Sequence, residues 1–382
     1  MGDIVRLGII GLGNIGLAHA QQVLGGAIER CTLSALCSRS SNPIADQTDA
    51  RHFSDYRELI HSGECDAVLV ASPTLYHREM GAAVLEAGLH LLMEKPLGLS
   101  IQEGQELIDG ARSDQRFGLM LNQRIDPVFT TMKQQLDNGV LGDLQRTQWT
   151  MTNWFRPEVY FQVSDWRATW RGEGGGLLLN QTIHNLDIFQ WLCGMPVSLR
   201  GFCGFGKYHD IEVEDEATAY LEYNNGATGV FIASTGEAPG VNRLDIIGDR
   251  GMLSYDGERL LLTTNTPGTA EFNRSTRDMF GQPEHSVCDI SPSVSRDQHT
   301  IILNNFVAAV LDGTPLMTPA AEGLNSLALA NAILLSAWHN KTISLPLDPV
   351  IYQAALARRQ ADSQLRQKAE IDVQIDMDKS YR

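Results

Sequence analysis

Residues 7–20 read LGIIGLGNIGLAHA. An apolar run meets three glycines spaced G-x-G-x-x-G (Gly11, Gly13, Gly16) and passes into a segment of helical composition. In the order strand, glycine turn, helix, each glycine has its own task. Gly11 permits the tight turn, Gly13 lets backbone approach a pyrophosphate at the helix N-terminus, and Gly16 lets helix and strand pack closely. The same string without a ligand is only a glycine-rich strand–helix turn, so the flanking chain must decide between them.

The flanking chain repeats the pattern. CTLSALC (31–37), DAVLVAS (66–72), LHLLME (89–94) and RFGLMLN (116–122) are short apolar runs, separated by helical segments such as HREMGAAVLEAG and SIQEGQELIDGARS, with turn signals at Ser41-Asn42-Pro43 and Pro73. Alternating strands and helices predict a doubly wound parallel sheet of the Rossmann kind over residues 1–122. Beyond Asn122 the texture changes. EATAYLEYNNGATGVFIAST (216–235) is a hairpin turning at Asn225-Gly226, and RLDIIGDRGMLSYDG and RLLLTT read as further antiparallel strands. With helices expected around 297–311 and 321–338, residues 123–345 predict an α+β domain on an open, mostly antiparallel sheet. Residues 346–382 form a charged, helix-prone extension, read as a docked arm or a frayed tail.

Bulk composition narrows the function. The 382 residues carry 46 acids against 30 bases, a formal charge of −16. Such a surface repels phosphate backbones and anionic lipid, which argues against nucleic-acid and membrane partners. Six scattered cysteines without a C-x-x-C pair suggest neither a metal site nor a disulfide framework and fit a reducing compartment. The N-terminus makes a poor signal peptide, and there is no run of 18 apolar residues. A cytoplasmic enzyme is expected.

The end of the second strand selects the nucleotide. An acid there would bind the ribose 2′-hydroxyl of NAD, whereas this chain has LCSRSS. Ser38, Arg39 and Ser40 can donate, and Arg39 can pair with a 2′-phosphate, which favours NADP. If Arg39 is only a solvated loop residue, NAD is used. Asn14 and Ile15 in the glycine turn, and Ser72, Glu94 and Asn122 at strand ends, complete the expected cofactor contacts.

Glu94-Lys95-Pro96 follows a strand, at the edge where α/β sheets bind ligands. GIIGLGNIG, ASPTLYH, GLHLLMEKP and GGGLLLNQTIHNLD, in that order, resemble the Gfo/Idh/MocA oxidoreductases over roughly residues 4–345. The resemblance implies an N-terminal Rossmann domain, a C-terminal domain with an open sheet, and NAD(P)-linked oxidation or reduction at a sugar, inositol or polyol carbon. It implies that Pro73 and His77 border the cofactor, that Pro96 is a cis proline, and that Lys95 is catalytic. A fixed ammonium at the carbinol oxygen would stabilise the developing alkoxide.

GEGGGLLLNQTIHNLD (172–187) permits two readings. On local grounds Asn180 is a helix cap, His184 a satisfied core histidine, and Gly174–Gly176 a loop. Asn180, His184 and Asp187 also fall near one face of a helix. The family's string is similar to G-G-G-x-L-x-D-x-G-x-H-x-x-D. It carries His184 onto the catalytic histidine, a general base for the hydroxyl proton, and Asp187 onto the trailing acid. The glycines would then let the chain pass close to the reacting centre. Asn180 stands where Asp is common and Thr182 where Gly is common. Asn cannot relay a proton but can orient a hydroxyl, and some family members carry Asn here.

Seven aromatics lie between Trp149 and Trp170 (Trp149, Trp154, Phe155, Tyr160, Phe161, Trp166, Trp170), where the chain average would place about one or two. Interleaved with Asn153, Arg156 and Arg167, they suit sugar rings, which offer C–H faces to stack and hydroxyls to bind. Half are expected in the core or at subunit contacts, Trp149 and Phe161 first. The resemblance brings Trp166 and Arg167 towards nicotinamide and substrate. The expected substrate contacts are Lys95, Arg124, Asn153, Arg156, Tyr160, Trp166, Asn180 and His184. The leading expectation is a sugar or polyol dehydrogenase, with a redox-assisted glycosidase retaining its cofactor and a non-catalytic cofactor-binding sensor as alternatives. An apolar open sheet face and the resemblance together predict a homodimer or homotetramer.

Overall fold

The computed structural model describes residues 3–39, 44–294, 297–367 and 371. The predicted Ser40 contact and the turn at 41–43 lie outside the described residues. Two compact units emerge. The first comprises Met1–Ile125, Gly172–Gly174 and Arg296–Leu327; the second comprises Asp126–Arg171, Gly175–Ser295 and Ala328–Arg382.

In the first unit, strands β1 (Val5–Ile10), β2 (Cys31–Cys37), β3 (Arg51–Phe53), β4 (Ala67–Val70), β5 (His90–Met93) and β6 (Phe117–Leu119) form a parallel sheet in the order β3-β2-β1-β4-β5-β6. This is the order of dinucleotide-binding sheets, with the crevice above the C-terminal ends of the strands. Leu7, Ile9, Leu36 and Leu69 share a buried cluster with Ala20 and Val23 of helix Asn14–Leu24 and with Ile302, Phe306 and Val310 of helix Gln298–Asp312. That second helix explains why 296–327 joins this unit despite its distance in sequence. Gly8, pointing to the other face, lies against Leu59 of helix Tyr56–His61.

In the second unit, β7 (Leu144–Met151), β8 (Ser198–Phe205), β9 (Glu214–Glu222), β10 (Thr228–Ser234), β11 (Asn242–Gly248), β12 (Gly251–Tyr255), β13 (Leu260–Thr266), β14 (Glu284–Asp289) and β15 (Ile343–Ser344) form one sheet, in the order β14-β13-β12-β11-β7-β10-β9-β8-β15. Every pairing is antiparallel except β7 with β10. Asn225-Gly226 makes the β9–β10 turn, with Gly226 at φ +84°.

One face of this sheet is buried. Trp149 and Phe231 pack on Phe189 of helix Ile183–Cys193, and Gly201 lies against Ile333 of helix Gly323–His339. Ala217, Ala219 and Leu221 point inward. Tyr220 and Phe202 point the other way and are 43% and 55% exposed.

The stretch Ala320–His339 has the length and mean hydropathy of a membrane span, yet most of it is buried inside the protein. The described part of the C-terminal extension carries a docked helix, Pro349–Asp362, with Tyr352 and Leu356 fully buried.

Candidate active site

The glycine turn behaves as three separate positions. Gly11 has φ +96°, and a Cβ there would lie 2.6 Å from the Ala71 carbonyl oxygen. A Cβ on Gly16 would lie 1.9 Å from the Gly11 carbonyl oxygen. The chain's own packing requires both glycines. Gly13, the N-cap of helix Asn14–Leu24, has ordinary φ −72°, and a Cβ there would meet nothing within 4 Å. Among the described residues nothing fills the space beside Gly13, which leaves that side of the turn open to a group approaching from outside. The helix it caps presents unsatisfied N–H groups and positive dipole in that direction, the environment a pyrophosphate needs.

The strand ends frame this turn. Ser38 follows β2, and its N–H donates to the Phe53 carbonyl. Arg39 is exposed, its guanidinium 5.7 Å from the Tyr76 ring centre. Neither position after β2 carries an acid. The Lys95–Pro96 bond is cis.

His77 is buried, with Nδ1 2.7 Å from the Pro96 carbonyl oxygen and Nε2 2.9 Å from that of Ser72. Burial, foremost, holds its pKa below the usual histidine value, against the two carbonyls that favour the charged ring. His77 thus ties the Pro96 turn to the loop at Ser72 and Pro73. Asn122 Nδ2 donates to Gln298 Oε1 at 2.8 Å. Arg124, expected at the substrate, is buried and ion-paired with Glu322.

In the second unit, the helix begins at Ile183, capped at Thr182. Asn180 therefore lies in the preceding turn, not on the helix, which corrects the expectation of one helical face for Asn180, His184 and Asp187. His184 sits in the first turn of the helix and is buried. Asp187, also buried, accepts from Gln190 Nε2 at 3.1 Å.

The triple glycine also differs from expectation. A Cβ on Gly174 (φ +71°) would meet Leu99 at 3.0 Å, and one on Gly176 would lie 2.4 Å from the Glu214 carbonyl oxygen. Glu214 Oε1 accepts from the N–H groups of Gly176 and Leu178, both at 2.9 Å. These glycines answer to contacts within the protein, whereas sequence reasoning assigned them to the reacting centre. Glu214 escaped that reasoning because nothing local marks it; it is buried in β9, 38 residues from Gly176.

The aromatic segment divides. Trp149, Trp154, Phe161 and Trp170 are buried. Trp149 is a core residue, its indole N–H donating to Asn242 Oδ1 at 3.0 Å. Tyr160, Trp166, Arg156, Arg167 and Asn153 are half-buried.

The Tyr160 hydroxyl is a junction. It accepts from Arg167 Nη1 at 2.5 Å and from Gln181 Nε2 at 3.2 Å, and donates to Asn180 Oδ1 at 3.4 Å. The Arg167 guanidinium lies 4.6 Å from both the Tyr160 and Trp166 ring centres. The predicted residues Tyr160, Trp166, Arg167 and Asn180 thus form one cluster, joined by Gln181, which sequence reasoning missed. Two further supports were missed. His209 bridges Asp215 and the Arg156 carbonyl, and Glu212 accepts from the Trp170 N–H at 2.6 Å and pairs with Ser363 beyond the C-terminal helix. Among the described residues, no group of three or more His, Cys, Asp or Glu side chains is placed to hold a metal ion.

Comparison with known proteins follows the same division. Residues 5–122 match an oxidoreductase family with an NAD-binding Rossmann fold, and residues 129–254 match the GFO/IDH/MocA C-terminal domain. The chain is 26% identical over 357 residues to the myo-inositol 2-dehydrogenase of Thermotoga maritima, covering 89% of this chain and 98% of that one. It is 26% identical over 359 residues to the scyllo-inositol 2-dehydrogenase (NADP(+)) IolW of Bacillus subtilis, covering 90% and 96%. Among solved structures, the WlbA dehydrogenase from Bordetella pertussis in complex with NADH and UDP-GlcNAcA superposes with a TM-score of 0.74 at 25% identity, covering 90% of this chain and all of that one.

Proposed function

This chain belongs to the Gfo/Idh/MocA oxidoreductase family, and from that premise we propose that it transfers a hydride between a nicotinamide cofactor and a secondary hydroxyl or keto carbon of a sugar, inositol or related polyol. The observation that carries the reading is Gly13, with open space where a side chain would stand, at the N-terminus of the helix that follows β1 in a sheet whose strand order suits a dinucleotide. Relatives named for inositols support the substrate class, since inositols and sugars share ring faces and vicinal hydroxyls.

The cofactor, when bound, accepts or returns the hydride. In the oxidising direction His184 takes the hydroxyl proton, and the Lys95 ammonium stabilises the oxygen as its charge grows. Asn180 positions the substrate. Its Oδ1 accepts from Tyr160, which orients the amide so that its N–H groups are the ones directed elsewhere. The Arg167 guanidinium, close to both the Tyr160 and Trp166 rings, supports this arrangement. NADP is the proposed cofactor, on Ser38 and Arg39 and the lack of an acid at either position, with NAD as the alternative, since relatives are named for both and the WlbA structure holds NADH. A second copy of the chain is the proposed cover for the open sheet face around Phe202 and Tyr220.

The test is absorbance at the reduced-nicotinamide band across inositols, free sugars and aryl glycosides with NADP and NAD. Lys95→Ala and His184→Ala should each lower turnover by about 10²-fold or more with the fold intact. Near-normal turnover removes that residue from the mechanism, and glycoside cleavage without net absorbance change replaces the dehydrogenase reading.

A further inference from the structure

His19 and Glu94 stand 75 positions apart in sequence and meet in the interior of the first unit. His19 lies on helix Asn14–Leu24, three residues beyond Gly16, and is shielded completely from solvent. Its Nε2 is 2.8 Å from Glu94 Oε1. Its Nδ1 is buried and has no hydrogen-bond partner among the described residues. The His299 ring, from helix Gln298–Asp312, approaches His19 edge-on with centres 5.5 Å apart.

Such an arrangement is costly. A buried polar atom left without a partner forfeits its hydration, and two apolar side chains of similar shape would avoid that loss. A burdened polar pair behind a ligand site calls for a reason beyond packing.

Glu94 supplies one. Burial alone would push its carboxyl up. The His19 hydrogen bond and the fields of His19, His299 and Lys95 outweigh burial and bring it down to about 2, so the group is ionised at neutral pH. Its second oxygen, Oε2, accepts the backbone N–H of Lys95 at 3.3 Å. One carboxylate therefore joins the nucleotide-binding helix to the turn that carries Lys95.

The other charged or titratable groups facing it are His299 with Asp297 at the cap of its helix, His77 from helix His77–Glu86, and Lys95 itself. Burial first of all holds His299 and His77 below the ordinary 6.5, so neither cancels the carboxylate's charge above pH 7.

We propose that the His19–Glu94 pair is a positioning device for Lys95, fixing its turn against the nucleotide-binding helix and keeping a negative charge beside its ammonium so that Lys95 stays protonated at working pH. Coulombic coupling is mutual: the charge on Lys95 that favours the carboxylate is favoured by it equally. A lysine asked to stabilise an alkoxide must hold its proton, and a fixed anion behind it does that without touching substrate. The proposal rests on the catalytic reading of Lys95.

The test titrates Lys95 directly. The full-length protein is labelled competitively with trace acetic anhydride across pH, and the Lys95 peptide is quantified by mass spectrometry. Lys95 is half-buried and so reachable. Glu94→Gln keeps the shape and removes the charge; Glu94→Gln combined with His19→Gln removes the same charge and leaves two amides that can bond to each other. Each should move the Lys95 labelling midpoint down by about one pH unit, the low end of what loss of a nearby opposite charge produces. Glu94→Gln should also bring the alkaline fall of turnover down by the same amount. An unchanged midpoint in both variants overturns the proposal, even if both lose activity, because loss at every pH is the mark of a purely structural role. If Glu94→Gln alone does not fold, the double variant decides. Lys95→Ala separates the two readings. A loss of about 10²-fold with unshifted midpoints sinks only the positioning role, whereas near-normal turnover in Lys95→Ala sinks both.

Discussion

Replacing Gly13 with alanine should separate the two properties that a glycine turn usually confounds. The methyl group would meet nothing within 4 Å, and φ −72° suits any residue. Alanine is a poorer N-cap than glycine by about 0.5–1 kcal/mol, while the less flexible unfolded chain returns about 0.4–1 kcal/mol. The sum is near zero, so the melting temperature should move by no more than about 2–4 °C. Cofactor binding should not be spared. A methyl placed where a pyrophosphate must touch backbone is an overpacking error of about 1–3 kcal/mol, which is roughly ten- to hundredfold in Kd.

Gly16→Ala is the counterpart. Its Cβ would sit 1.9 Å from a carbonyl oxygen of the turn itself, so stability should drop with or without cofactor. Scanning fluorimetry of the cofactor-free proteins and titration calorimetry with NADP and NAD give both numbers. A Gly13→Ala protein that binds cofactor as tightly as the parent would refute the argument that position 13 is small for a ligand. One that melts far lower would show that the chain itself needs this glycine.

Other expectations follow from the same geometry. Ser38→Asp should reverse a preference for NADP, because a carboxylate repels the 2′-phosphate and accepts from the 2′-hydroxyl; tighter binding of NAD by the parent protein would overturn the NADP assignment at the outset. His77, His90 and His299 are all held below 6.5, burial being the first cause in each. The stability they confer is complete above about 6.5 and is lost as pH falls, because the unfolded chain then binds more protons. The melting temperature should therefore decline from pH 7 to 5, and a flat profile would contradict this. Glu94 adds a second loss, between its ordinary 4.5 and about 2. Light scattering at micromolar concentration should give a dimer or tetramer that survives deletion of residues 368–382; a monomer near 42 kDa would defeat the pairing of open sheet faces. Deletion from residue 350 should unfold the second unit in part, since it removes the buried Tyr352 and Leu356 and the Ser363 contacts to Arg171 and Glu212.

The sequence by itself determined the first sheet, its glycine turn and the hairpin at Asn225-Gly226, because each is written in contiguous residues whose backbone needs are local: period, turn chemistry, φ. The family resemblance pointed to Lys95 and His184 through motifs, and Trp149 and Phe161, expected in the core or at subunit contacts, are buried. Tertiary structure decided everything that depends on a distant partner. Only the sheet register shows that Ala219 and Leu221 face inward and Tyr220 outward, since alternation alone fits either face equally. Only packing assigns Gly176 to Glu214, places helix Gln298–Asp312 against β1, and starts the His184 helix at Ile183 rather than at Asn180. His19 and Glu94 carry no mark of each other along the chain. Their pairing arises because parallel strands bring the first glycine-turn helix and the end of β5 to the same side of one crevice, and low dielectric there strengthens the hydrogen bond that helps keep Glu94 ionised.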